Sequence, residues 1–236
     1  MRSHAAAFGQ TDQARWVTHV EMCDAVLDLG DAYLDSARAW WSADGDGRPF
    51  EQVFQVLPRL FRHLTLSTVD RSVARIGPEQ ARALRAAIAR GVARLEPFEI
   101  TIGPAIPHTH AIELYVRPDP RLRELYETVA DGYREAFPDL EPEPTAMPWR
   151  AHTEIGYGRA DFDHETLSKA LLRTAGPVHG YQVPVTHRID EVLVVVEDTW
   201  SADGLSWQPG TAARLPLGAA SRLPDVHSTN RQEGVS

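Results

Sequence analysis

The sequence predicts an α/β chain of the α+β type: two pseudo-symmetric lobes of mainly antiparallel strands, helices outside, and a central cleft. Three observations point there. Leu60 to Val69 alternates in period two, with Leu64 and Leu66 on one face and His63, Thr65 and Ser67 on the other. Pro78 to Leu95 and Pro120 to Phe137 read as long helices, each opened by a proline in its first turn. A second alternating stretch, Trp149 to Tyr157, again carries a histidine, so strand and helix units repeat coarsely with one histidine strand in each half.

In chain order, Arg15 to Cys23 predicts a strand. Asp24 to Trp41 predicts a helix, with Val26, Leu27, Leu29, Tyr33, Leu34 and Ala37 at helical spacing and Gly30 as an interruption. Residues 42–47 read as a loop, and residues 50–58 fit no single element. After the helix that starts at Pro78 come strands at Phe98 to Ile102 and His110 to Val116, joined by a Gly-Pro-containing connection as a hairpin-like pair. The four prolines between Pro138 and Pro148 cannot continue a helix and predict a connector between lobes. A helix over His164 to Arg173 ends at Gly176-Pro177. Strands over Val178 to Thr186 and Ile189 to Glu197, a turn region over Trp200 to Gly210 and a short strand over Thr211 to Leu217 complete the pattern. One bilobal domain over 13–218 is expected, with disordered termini at 1–12 and 219–236.

The 236 residues are 43% hydrophobic and 24% charged, enough for an ordinary core. No run approaches the roughly 18 apolar residues that cross a bilayer, so no membrane partner is expected. The N-terminus carries no basic region followed by an apolar run. The one cysteine, Cys23, fits a reducing compartment, and a cytoplasmic location is expected. It also removes thiolate-rich zinc sites. His108 and His110 are the only close histidine pair, and two ligands rarely hold a metal; no cofactor is expected. The net charge of −9 argues against long, sequence-independent nucleic-acid binding, which needs many basic contacts to phosphate. DNA is not expected as a partner. A short RNA end or a small nucleotide fits better, and a monomer is the expected state.

Side chains at i and i+2 on a strand lie roughly 6.5 to 7 Å apart on one face, so His63 and Thr65 can touch one ligand oxygen together. In the second stretch, parity groups Arg150, His152, Glu154 and Gly156 on one face. Ala151, Thr153, Ile155 and Tyr157 take the other.

These two stretches resemble the paired His-x-Thr/Ser-x motifs of the 2H phosphoesterase superfamily, whose members include the 2′-5′ RNA ligases and RNA cyclic phosphodiesterases. His63-Leu64-Thr65-Leu66 matches in full. His152-Thr153-Glu154-Ile155 matches in its histidine and its apolar fourth position. Glu96 to Gly103, Ile189 to Val195 and Leu215 to Gly218 resemble flanking family segments, so the resemblance runs from about residue 15 to 218. His164-Glu165-Thr166 fits the motif literally but falls in a predicted helix, where i and i+2 do not share a face, and His227-Ser228-Thr229 falls in the tail.

The resemblance implies a metal-independent phosphodiesterase acting on a 2′,3′-cyclic phosphate or a 2′-5′ linkage. His63 and His152 would be its acid–base pair, and Thr65, Glu154 and Arg150 would line the phosphate site. Histidine suits both proton roles near neutral pH. Glu154 stands where a hydroxyl belongs, and a carboxylate repels phosphate. It can be protonated and donate, it can orient His152, or the site can have lost its original reaction. The rival is a non-catalytic protein that holds a nucleotide or RNA end in the same cleft. A third reading makes Glu154 and His152 an acid–base pair for another small substrate. His19 is expected at the surface more than in the cleft, and Trp40, Trp41, Trp149 and Tyr157 as packing more than as base platforms.

Overall fold

The computed structural model describes residues 14–44, 47–68, 76–139, 150–172, 183–201, 204–208 and 210–219. The elements follow in order: β1 (Arg15–Glu21), α1 (Asp24–Asp44), α2 (Phe50–Val53), β2 (Phe54–Val56), a 3₁₀ turn (Arg59–Phe61), β3 (His63–Thr68) and α3 (Pro78–Val92). Then come β4 (Phe98–Pro107), β5 (Ala111–Val116), α4 (Pro120–Ala136), β6 (His152–Gly158), α5 (His164–Leu172), β7 (Val185–Ile189), β8 (Glu191–Ser201), β9 (Gly204–Trp207) and β10 (Ala213–Pro216).

One antiparallel sheet runs β10-β8-β1-β3-β6-β5-β4-β7, with β2 added to β6 and β9 to β8. Its middle is the seam between the two histidine strands, where Leu64 of β3 pairs with Thr153 of β6. On the β3 side, α4 packs on β3, α3 on β10, and the two helices on each other. On the β6 side, α1 packs on β4 and β7, and α5 on β4 and α1. The lobes are therefore not the two halves of the sequence: β4 and β5 cross to join β6 and β7, while β8 and β10 return to β1. The proline connector expected over Pro138 to Pro148 lies outside the described residues from residue 140 on, as do the expected disordered termini apart from Ala219.

Helix α1 runs through Gly30 and on to Asp44, past the expected stop. The glycine is there for packing: a Cβ on it would lie 3.1 Å from both Arg62 Nη1 and Ile155 Cγ2. Arg62, 4% exposed, passes under α1, donates to the Leu57 and Leu27 carbonyls and pairs with Asp31 at 2.7 Å. A buried guanidinium with these partners satisfied anchors the residue directly before His63. At the start of α4, Asp119 caps by accepting from Arg121 N at 2.8 Å.

Three sequence expectations shift. β4 continues through Gly103-Pro104 to Pro107, with a bulge between Ile102 and Ala105, so the turn is residues 108–110 instead. The expected turn region after Trp200 holds a strand, β9, which pairs antiparallel with β8. The ambiguous stretch 50–58 splits into a helical turn and β2. Trp41, 2% exposed, packs edge-on against Phe50 and Phe54, a core role as expected; Trp149 lies outside the described residues.

Candidate active site

Leu64 and Leu66 are fully buried in the main core, and Thr153 is fully buried with its hydroxyl on Met22 Sδ at 3.4 Å. The Leu64–Thr153 pair thus faces the helices. Its flanking residues, His63 and Thr65 on β3 and His152 and Glu154 on β6, face the other side of the sheet, as strand alternation requires.

The two imidazoles are held in the same way. His63 Nδ1 lies 2.8 Å from the Phe61 carbonyl, and His152 Nδ1 lies 2.7 Å from the Arg150 carbonyl, each two residues back. A carbonyl only accepts, so each Nδ1 carries the proton and each Nε2 is left as the acceptor. His63 Nε2 is 3.1 Å from Thr65 Oγ1, which donates to it. Burial pushes the His63 value below the ordinary histidine range, and the Glu197 carboxylate and Phe61 carbonyl pull the other way; Arg15 and His152 add to the lowering.

Glu154 is partly buried, and burial raises its carboxyl above the usual range, while His152 and a hydrogen bond from the Tyr157 hydroxyl act to lower it. Simple parity puts Tyr157 on the opposite face, and that expectation is corrected here. In the β5–β6 ladder Gly156 pairs with Ile112 and Glu154 with Glu113, so Ile155 is an extra, bulged residue. Beyond the bulge the alternation is inverted. Gly156, expected beside His152, faces Leu34 and Ile112; Tyr157 turns to the Glu154 face and packs with Leu57, Ala111 and Phe61.

Arg150 is committed to Glu113, whose side chain is 2% exposed; the guanidinium donates to Oε2. The charge it offsets is thus that of Glu113, directly across the ladder from Glu154. Glu113 Oε1 lies 3.2 Å from His108 Nδ1 and 4.0 Å from His152 Nε2. Sequence reasoning missed Glu113. Among the described residues, Glu113, His152 and Glu154 offer ligand atoms within 4.8 Å of one another, the group there that can hold a cation.

His19 is not a surface residue. It is fully buried on β1, opposite Thr65, with its ring 4.5 Å from the His63 ring and stacked 4.7 Å from Trp207. Neither ring nitrogen has a hydrogen-bond partner among the described residues. Burial pushes its value well below the ordinary one, with His63 and Arg214 adding to the shift. Trp207 also meets Phe61 and His63 edge-on. Glu197, 2% exposed and paired with Arg15 at 3.0 Å, completes this side. The paired strands β3 and β6 thus present on one face two matched Nε2 atoms, one hydroxyl and buried carboxylates, a set equipped for proton transfer.

Residues 47–199 match the family model of the 2′-5′ RNA ligase superfamily. No curated protein sequence matches the chain. Among solved structures, TT0787 of Thermus thermophilus is similar at 17% identity and a TM-score of 0.57, over 86% of this chain and 98% of that one. E. coli LigT complexed with 3′-AMP is similar at 14% identity and a TM-score of 0.54, over 88% and 99%. Kluyveromyces marxianus Usb1 with uridine monophosphate is similar at 13% identity and a TM-score of 0.52, over 87% and 99%. These likenesses share a fold with the sheet described above, and the family match covers most of the chain: the protein belongs to the 2′-5′ RNA ligase superfamily.

Proposed function

We propose that the protein is a metal-independent phosphodiesterase that opens a 2′,3′-cyclic phosphate, or cleaves a 2′-5′ linkage, at the end of an RNA or nucleotide. The observation that carries the reading is the shared mounting of His63 and His152, each with Nδ1 on the carbonyl two residues back, which leaves Nε2 as the proton-exchanging nitrogen. His63, kept neutral by burial, is the base. Its Nε2 takes a proton from the attacking water as the water oxygen bonds to phosphorus. His152 is the acid: its Nε2–H goes to the ribose oxygen as the phosphorus–oxygen bond breaks. The Glu113 carboxylate 4.0 Å away is a counterion for that imidazolium. Thr65 turns its hydroxyl from His63 to a non-bridging oxygen, where charge concentrates. Each placed proton transfer is worth roughly 10² to 10⁴ in rate. Two structural neighbours were solved with 3′-AMP and uridine monophosphate, which is in keeping with a nucleotide-sized substrate.

The test is turnover of nucleoside 2′,3′-cyclic phosphates in the presence of chelator. Activity should persist, and should fall at least 10²-fold in both His63→Ala and His152→Ala. Chelator-sensitive turnover, or an alanine variant with the parent rate, sinks the two-histidine mechanism. One observation favours a second reading: the Glu113–Glu154 pair crowds negative charge beside His152. An intact protein that binds 3′-nucleotides without turning over any cyclic phosphate is the binding protein of that reading.

A further inference from the structure

We propose that Glu113, His152 and Glu154 form a binding site for a divalent transition cation, zinc above all, at the His152 end of the cleft. Their donor atoms lie within 4.8 Å of one another. Around a tetrahedral zinc with bonds of about 2.0 to 2.2 Å, two ligands stand roughly 3.3 to 3.6 Å apart, so rotation of the partly exposed Glu154 and His152 side chains closes the set. A nitrogen with two carboxylate oxygens is a donor set for zinc or manganese, and three protein ligands leave a position for water.

Features outside the cluster prepare each ligand. His152 donates Nδ1–H to the Arg150 carbonyl, the arrangement that fixes a metal-binding imidazole with its Nε2 lone pair outward. Tyr157 holds Glu154 Oε2 and leaves Oε1 to coordinate. Arg150 holds Glu113 Oε2 and leaves Oε1, which His108 Nδ1 approaches to 3.2 Å from the 108–110 turn, a fourth donor and second nitrogen at the rim. Glu113 and Glu154 are also direct cross-strand partners, and facing like charges are destabilising unless something positive lies between them. Arg150 balances one carboxylate, and the cation balances the other.

The consequence for catalysis rests on the phosphodiesterase reading. A cation takes the His152 Nε2 lone pair, releasing to solvent any proton held there, so that atom has no proton to give the leaving oxygen. Zinc is then an inhibitor that closes the acid half of the site.

The experiment is calorimetric titration of the intact protein with zinc chloride, alongside Glu154→Gln and His152→Ala, with zinc-induced shifts of the imidazole resonances followed in the unmutated protein. One zinc should bind, each variant should weaken it at least tenfold, and the shifted resonances should be those of His152 and His108. The proposal is overturned if zinc does not bind at a hundredfold excess, if both variants bind as the parent does, or if the shifted resonances belong to other histidines. Turnover of a cyclic phosphate, measured in parallel, keeps the two readings apart. One zinc bound through these residues in a protein with no turnover removes the phosphodiesterase and keeps the site. Turnover without zinc binding does the reverse.

Discussion

Tyr157 donates its hydroxyl to Glu154, three residues back on the same strand, because the bulge at Ile155 brings Tyr157 round to the face that Glu154 already occupies. That bond favours the charged carboxylate, against the burial that raises its value. Removing it in Tyr157→Phe should move the Glu154 midpoint further up in a carboxyl NMR titration and cost about 1 to 3 kcal/mol at neutral pH. The sign of the pH effect follows. A carboxyl raised in the folded state holds its proton longer than in the unfolded chain, so its contribution is whole below about 4.5 and is lost as pH rises through the folded value. Glu154→Gln should therefore gain on the parent as pH rises from 4 to 8. A constant difference would show that Glu154 does not titrate abnormally.

The histidines act in the opposite direction. His19, His63 and His187 are all pushed below the ordinary value, first of all by burial. The unfolded chain takes up these protons first, so stability is present above about 6.5 and is lost as pH falls toward the folded values. His19→Phe keeps a ring against Trp207 and His63 and removes two nitrogens that have no partner among the described residues. Between pH 8 and 5.5 its melting temperature should fall less than the parent's, and at pH 8 it should be at least as stable. Parallel curves with a less stable variant would show that the His19 nitrogens are satisfied and do not titrate with folding.

Helices α3 and α4 cross at close quarters. A Cβ on Gly132 would sit 2.7 Å from Ile88 Cγ1 and 3.2 Å from the Ile88 nitrogen. In a free helix Gly→Ala gains about 1 kcal/mol. Here the backbone of α3 cannot yield as a flexible side chain would, and overpacking costs about 1 to 3 kcal/mol. Gly132→Ala should lower the denaturant midpoint in spite of its better helix propensity. An unchanged or raised midpoint would mean that the helices separate freely.

Local signals carried much of this molecule. Leu64 and Leu66 against His63 and Thr65 is a period-two pattern that one buried face explains, and α3 and α4 announce themselves by periodicity and by their first-turn prolines. What stayed hidden depends on pairing across long distances. Glu113 reads as the polar position of an alternating strand, and only folding brings Arg150 onto it from 37 residues away. The bulge at Ile155 is set by the ladder with β5, and one inserted residue inverts every facing beyond it. His19 looks exposed until β1 is known to lie between β3 and β8, under Trp207.

Glu154 separates the readings most sharply. On β3 the residue two after the histidine is Thr65, with its hydroxyl on His63 Nε2; on β6 the same position is a carboxylate facing Glu113 across the ladder. Glu154→Thr puts a donor where the carboxylate stood and removes a negative charge from the phosphate site. In a preorganised site one added transition-state donor is worth roughly 10² to 10³ in rate. If the proposed phosphodiesterase is held back by Glu154, the variant should gain rate on 2′,3′-cyclic phosphates by up to that factor. It should also bind 3′-nucleotides more tightly, with the gain largest at low salt because screening weakens such repulsion. Zinc inhibition should disappear in the same variant, since one of its three ligands is gone. If Glu154 works in the reaction, as a protonated donor or as the partner of His152, the same change should slow turnover. Rates and affinities measured side by side at two salt concentrations decide between these outcomes. A variant matching the parent in both would show that the Glu154 carboxylate does not reach the phosphate.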